Sequence, residues 1–170
     1  MGFDIHGMNP VEREGTPIPD FNGDYDSDEF KEWCDAKNKH EELNPGTYFR
    51  NNVWWWRPLW AYVCEECHDV INDDDADGGG SNEGHAISEQ KAVAIAKRLF
   101  ELIEEGETGR FEDFHKKKAE EADADNERLI ADGGKKYDAG WNWADSYPFA
   151  VDNVRAFATF CSESGGFEIC

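Results

Sequence analysis

The chain has 170 residues, of which 39% are apolar and 14% aromatic, enough to build one packed core and too much to leave in water as a disordered chain. Its 38 acidic and 17 basic side chains give a formal net charge of −21. This charge repels nucleic-acid backbones and anionic membranes, so direct binding to either is disfavoured. No apolar run is long enough to span a membrane and the N-terminal residues do not resemble a signal peptide, so we expect a cytoplasmic protein.

The first part of the chain predicts a strand, a helix and a hairpin. Phe3 and Ile5 alternate with polar residues, as expected for a half-buried strand that pairs centrally. After a polar loop, Ser27 is a suitable N-cap for a helix that ends at an Asn-Pro-Gly turn. Two strands, residues 47–50 and 53–56, are then expected to form a hairpin around the two asparagines between them.

The rest of the chain predicts helices and a C-terminal strand. Pro58 suits the first position of a helix that runs to about residue 71. The acidic, glycine-rich run at 72–84 is expected to be a loop, because three consecutive glycines lose too much backbone entropy in a helix. Apolar periodicity predicts helices at 88–105, 110–131 and 151–163, and alternation predicts a strand at 167–169.

Together these elements predict an α+β fold, with a single compact domain over residues 1–170. A small, mainly antiparallel sheet should include the strands from both termini and be covered on one side by three to four helices.

The most distinctive sequence patterns lie at 48–60, which reads YFRNNVWWWRPLW, and at 147–149 and 164–170. These segments resemble a group of small uncharacterised proteins encoded by tailed bacteriophages and bacteria. The similarity covers both ends of the chain and the region 81–100, and set against it the segments 12–44 and 112–140 are expected to be surface insertions. It implies a viral setting, with the host cytoplasm as the location, and it implies no particular activity.

Residues 51–60 contain four tryptophans, which cannot all face one core across a strand and the helical turn that follows. At least one indole should be exposed, beside arginines that can hold a carboxylate or phosphate and asparagines that can read the edge of a base. Other aromatic residues, near residue 141, could form an opposite wall. The candidate ligand-binding residues are Arg50, Asn51, Asn52, Trp54, Trp55, Arg57, Trp60, Asn82, His85, Trp141, Trp143 and Tyr147. The alternative is that the tryptophans are core residues, with Arg57 stacked on one of them.

Two weaker patterns are those of metal sites. A D-x-D-x-D-G run matches the first half of a calcium loop, but its twelfth position is Gly84 instead of a bidentate carboxylate. A C-x-x-C pair matches half of a zinc site but lacks a second pair, so ordinary reduced cysteines are the favoured interpretation. We therefore expect no cofactor and retain as weak metal candidates Asp73, Asp75, Asp77, Cys64 and Cys67.

Three hypotheses of function follow. The first is a phage-encoded, non-enzymatic accessory protein that counters host defence by sequestering a small nucleotide-like ligand. The alternative is an acidic mimic of nucleic acid that inhibits a basic, nucleic-acid-binding host protein. The third is an enzyme acting on a nucleotide, for which Asp4, His6, His85 and Glu168 are the residues to test. Without a phosphate loop or a nucleophile elbow, a non-enzyme is favoured. Homo-oligomerisation is compatible with each hypothesis.

Overall fold

The computed structural model of the protein describes residues 2–11, 18 and 20–170. The helices are α1 (Asp28–Leu43), α2 (Val53–Glu66), α3 (Asp73–Gly79), α4 (Glu89–Glu104), α5 (Glu107–Ala131) and α6 (Val151–Glu163). The strands are β1 (Gly2–Gly7), β2 (Tyr48–Asn52), β3 (His85–Ile87) and β4 (Phe167–Ile169). Residues 12–17 and 19, in the predicted polar loop and surface insertion, lie outside the described residues.

The four strands form one antiparallel sheet in the order β2-β1-β4-β3, so strands from both ends of the sequence occupy its centre. Ile5 of β1 pairs with Phe49 of β2 on one side and with Ile169 of β4 on the other. Because side chains alternate along a strand, Asp4 and His6 point to the opposite face. The predicted α+β fold, with an antiparallel sheet that includes the strands from both termini, is confirmed.

The core lies between the apolar face of the sheet and the helices α2, α4 and α6. Phe157 of α6 sits at its centre, with ring centroids 5.2 Å from Phe49, 5.6 Å from Trp56 and 5.7 Å from Phe167. Burying one such side chain contributes roughly 1.5 to 3 kcal/mol. Aromatic packing therefore joins the sheet to two of its covering helices.

Helix α2 begins where a strand was predicted. The side-chain oxygen of Asn52 accepts hydrogen bonds from the backbone N–H groups of Trp54 (3.0 Å) and Trp55 (3.1 Å) and caps the helix. The predicted strand at 53–56, and with it the hairpin, is wrong. The N-cap and the burial of apolar residues on one helical face outweigh the strand preference of tryptophan.

The ends of α2 also differ from the prediction. Pro58 lies inside the helix, so its missing N–H removes one bond within the first two turns. The helix ends at Glu66 instead of near residue 71. The apolar pattern continues to Val70 and Ile71, because the turn after the helix packs both side chains against the core. The N–H groups of these two residues both donate to the Cys67 carbonyl at 2.8 Å.

The acidic, glycine-rich segment forms helix α3 over seven of the residues predicted as loop. Asn72 and Asp75 make a reciprocal capping box: the Asn72 side chain accepts from the Asp75 N–H at 2.9 Å, and the Asp75 carboxylate accepts from the Asn72 N–H at 3.1 Å. Three aspartates in the first turn also complement the positive end of the helix dipole.

Two tryptophans of α2 hold the glycine end of α3. The buried indole N–H of Trp56 donates to the Gly79 carbonyl at 2.7 Å, and that of Trp60 donates to the Ala76 carbonyl at 3.0 Å. A Cβ atom at Gly79 would overlap the Trp60 indole, so the close approach requires glycine. The loop was predicted because ordering three glycines costs backbone entropy. The contacts of the two tryptophans with α3 offset this cost.

The remaining elements follow the predictions with small shifts. Ser27 caps α1 by accepting from the Phe30 N–H at 3.1 Å, as expected. Helix α5 begins at Glu107, three residues before its predicted start at 110. Strand β3 was not predicted. Among the described residues, no helix has both the length and the apolar character needed to cross a membrane.

Substitution of Gly79 by alanine should destabilise the protein, because the added methyl group meets the Trp60 indole. We expect the free energy of unfolding to fall by about 2 kcal/mol. Gly109→Ala in α5 is the control, since among the described residues no neighbouring group lies within 4 Å of an added Cβ there. Because alanine favours a helix more than glycine does, this change should raise the free energy of unfolding by about 0.5 to 1 kcal/mol. Chemical denaturation measures both variants; equal effects would contradict the packing of α3 on α2.

Candidate ligand-binding site

The tryptophans of α2 divide between the core and the surface. Trp56 and Trp60 lie one helical turn apart and are 0% and 4% exposed, with their rings stacked at 5.4 Å. Trp54 is 41% exposed and Trp55 is half-buried. The prediction that at least one indole is exposed is confirmed, because the same helix periodicity that buries one pair turns the other outward.

Trp55 lines two neighbouring clefts. The first has a volume of about 310 Å³ and lies between the end of β2 and the start of α6. There the Asn51 side-chain amide donates to the Asn153 side-chain oxygen at 3.0 Å. A primary amide has two donor hydrogens and two acceptor sites, so this single bond leaves both amides with hydrogen-bonding capacity for a ligand. The cleft thus combines an indole with paired amides.

The second cleft, of about 300 Å³, lies between α5 and the segment 147–150. His115 lines it, with its ring stacked on Phe149 at 5.8 Å. Burial lowers the pKa of His115, which favours a neutral ring near pH 7. Lys116 also lines the cleft and pairs with Glu112 at 2.9 Å. This side of Trp55 is therefore largely aromatic, with the Lys116–Glu112 ion pair at its edge.

Tyr147 connects the second cleft to the start of α2. Its hydroxyl accepts a hydrogen bond from the Arg57 guanidinium at 3.3 Å, and its ring lies 5.2 Å from that of Trp54. Arg57 is exposed, and within the described ranges no carboxylate forms an ion pair with it. Its guanidinium therefore retains donors for an anionic ligand.

Three other predicted residues lie away from these clefts. Arg50 projects from the opposite face of β2, where it pairs with Asp4 at 3.4 Å. Asn82 is exposed and donates to the Gly2 carbonyl at 2.7 Å. Trp60 lies in the core. Asn52 uses its side-chain oxygen to cap α2, so it shapes the site by starting the helix.

The aromatic residues near 141 form a separate cluster. Tyr137 lies between Trp141 and Trp143, with centroid distances of 5.3 and 5.1 Å. The backbone of Asn142 anchors this segment to α5, where its N–H and carbonyl bond with the Asn126 side chain at 2.8 and 2.9 Å. Of the predicted opposite wall, only Tyr147 reaches the clefts.

Asp75 and His85 belong to a buried polar network. The Asp75 side chain is only 6% exposed. Its carboxylate accepts a hydrogen bond from the Lys91 ammonium and lies 3.1 Å from Nε2 of His85. Burial alone would raise the pKa of Asp75, but hydrogen bonds from Lys91, the Asn72 backbone and His85 outweigh it and lower that pKa. The network joins α3, β3 and α4, so the structure gives His85 a partner inside the fold.

The other weak metal candidates are dispersed. Asp73 and Asp77 lie exposed on α3, which is a helix and not the expected solvated loop. Burial raises the pKa of Cys64 to about 11 and that of Cys67 to about 12, so both thiols are protonated at neutral pH. Within the part of the chain that the structure describes, no three histidine, cysteine or acidic side chains converge on a metal position.

The residues named for an enzyme are split between the faces of the sheet. His6 and Glu168 are register partners on the open face, next to Asp4. The Tyr48 hydroxyl donates a hydrogen bond to Asp4. Burial is the main cause of the raised pKa of Tyr48, and this hydrogen bond adds to it. His85 instead faces Asp75, on the side of the sheet that the helices cover.

Trp55 and the two amides line the clefts, and Arg57 bonds to Tyr147 at the edge of the second one. Together they offer stacking, amide hydrogen bonds and a guanidinium, which are the contacts of a small-ligand site. Sequence reasoning missed Asn153, His115 and Lys116, because packing of α5 and α6 brings them to residues far away in the chain. Comparison with known protein families, curated proteins and solved structures finds no match for the chain. The chemistry of the site is therefore inferred from the residues that form it.

Replacing Asp75 by asparagine should destabilise the protein by about 3 kcal/mol at neutral pH, because Lys91 loses its buried partner. Since the pKa of Asp75 is lowered on folding, its contribution is present above the unfolded value and is lost as pH falls below about 4. The variant should therefore show a smaller loss of stability on acidification than wild type. Chemical denaturation of wild type and variant across this pH range tests the prediction. Asp77→Asn, at an exposed position, is the control and should follow wild type. If the stability of Asp75→Asn depends on pH as that of wild type does, the prediction is refuted.

Proposed function

We propose that the protein is a non-enzymatic binder of a small nucleotide-like ligand, which it holds in the two clefts beside Trp55. The observation that carries the proposal is the position of that indole, which is half-buried and forms a wall of both clefts. A base stacked on an indole gains roughly 1 to 3 kcal/mol, whichever base it is. The ring is held at the capped start of a helix, so little ordering is needed on binding.

The amide pair supplies the edge contacts in this proposal. Asn51 and Asn153 present both donors and acceptors, as the edge of a nucleobase does. They also line the same cleft as Trp55, so a stacked ring and its hydrogen-bonding edge would be held by adjacent side chains. This combination favours a heteroaromatic ring over an aliphatic ligand.

The phosphate of the ligand is assigned to Arg57, with Lys116 as a second cation. A net charge of −21 repels anions at long range, and this repulsion is screened beyond about 8 Å at physiological salt. A polynucleotide would meet that repulsion along its whole length, whereas a small nucleotide meets it once. The charge therefore supports a small ligand with few phosphates.

The biological setting rests on the resemblance to small phage and bacterial proteins. A phage protein that sequesters a nucleotide signal would counter a host defence that uses such a signal, with no chemical step required of it. Sequestration needs affinity and abundance. The cleft beside Trp55 supplies the contacts for affinity, and the high net charge keeps a small protein soluble when it is abundant.

Binding should depend on Trp55 and Arg57. We expect Trp55→Ala and Arg57→Ala each to weaken nucleotide binding by about tenfold or more, since they remove the stacking surface and the charge-assisted contact. Isothermal titration calorimetry and thermal shift with linear and cyclic nucleotides, including adenine-ribose compounds, measure the effect. Both variants should remain folded.

Matched controls separate the site from general effects. Trp143→Ala removes an exposed indole outside the clefts, and Arg128→Ala removes an exposed guanidinium on α5. Both should bind as wild type does. The proposal fails if no nucleotide raises the melting temperature of wild type, or if the controls lose as much affinity as the site variants.

A further inference from the structure

A cavity of about 640 Å³ forms a groove between α1, β2 and α6. Its floor is apolar: the half-buried Phe49 and the buried Phe160 lie 5.8 Å apart, and Pro45 flanks them. Ala156 is exposed on the α6 side, and its small side chain leaves room above the aromatic rings. Among the described residues, the only one that this groove shares with the first cleft beside Trp55 is Asp152, which lines both.

The rim of the groove is acidic. Glu41, Glu42 and Asp152 line it, against a single cation, Arg155. Lys37 pairs with Glu41, while Glu42 and Asp152 are exposed. An apolar floor between exposed carboxylates is complementary to a peptide that carries apolar residues on one side and lysine or arginine on the other. The net charge of −21 adds long-range attraction for such a segment.

We propose that this groove docks a basic, amphipathic segment of a partner protein. The apolar side chains of the segment insert over Phe49 and Phe160, and its cations contact Glu42 and Asp152. Apolar side chains at the centre and charges at the rim give the usual anatomy of a peptide-binding groove. Within the described part of the chain, the groove shares only the lining residue Asp152 with the clefts beside Trp55, and the proposal does not depend on the proposed function.

The test is a pair of arginine substitutions with the same change in net charge. Ala156→Arg fills the groove and adds a positive charge to it, whereas Ala61→Arg adds the same residue at an exposed position of α2 outside the groove. The probe is a fluorescent leucine-lysine peptide with a helical amphipathic pattern, at about physiological ionic strength. We expect Ala156→Arg to weaken peptide binding by about tenfold and Ala61→Arg by less than about twofold.

A second pair of variants leaves the floor of the groove intact. Glu42→Gln removes a rim carboxylate and should weaken binding by about threefold, whereas Glu120→Gln on the exposed face of α5 should not change it. This pair keeps the test decisive if Ala156→Arg fails to fold, which circular dichroism reports. A peptide of the same composition with scrambled order should bind more weakly than the patterned one.

Several outcomes would overturn the proposal. Equal losses in Ala156→Arg and Ala61→Arg, or in both glutamine variants, would show that the peptide responds only to net charge. Equal binding of the scrambled peptide would show that the apolar floor is not used, and absence of wild-type binding would exclude the groove as a docking site. These results are independent of those for Trp55 and Arg57, because neither residue lines the groove.

Discussion

The donation of two buried indole N–H groups to the carbonyls of a glycine-rich helix determines much of this structure. Trp56 and Trp60 satisfy carbonyl groups of α3 and press against Gly79, so α2 and α3 fix each other. An indole N–H buried without an acceptor would cost roughly 1 to 3 kcal/mol, so the pairing is strongly favoured once the rings enter the core. Helix α3 in turn places Asp75 where it holds His85 of β3 and Lys91 of α4.

The same interaction orients the candidate site. Because the side of α2 that carries Trp56 is buried in the core, the helix periodicity places Trp54 and Trp55 toward the surface in the first turn. Asn52 fixes where that turn begins, and β2 delivers Asn51 beside α6. The clefts around Trp55 are therefore a consequence of how the core is packed.

Much of the fold was predictable because apolar periodicity records which face of an element is buried. Ala92, Ile95 and Leu99 located α4, and Phe3 with Ile5 located β1. Helix α3 was not predictable, because its acceptors are satisfied by tryptophans that come from another helix. Strand β3 is three residues long, and its pairing with β4 is a tertiary event. The Trp-Arg pattern pointed to the clefts, while Asn153 and His115 reach them only through packing.

The central claim, that α2 buries one pair of tryptophans and presents the other to a nucleotide, can be measured directly by fluorine NMR. Fluorotryptophan labelling gives one resonance for each of the seven tryptophans, and single Trp→Phe variants assign them. We predict solvent isotope shifts for Trp54 and Trp55 but none for Trp56 and Trp60, with the Trp55 resonance moving on addition of nucleotide. A solvent response from Trp56 or Trp60, or a Trp55 resonance that nucleotide leaves unchanged, would contradict the claim.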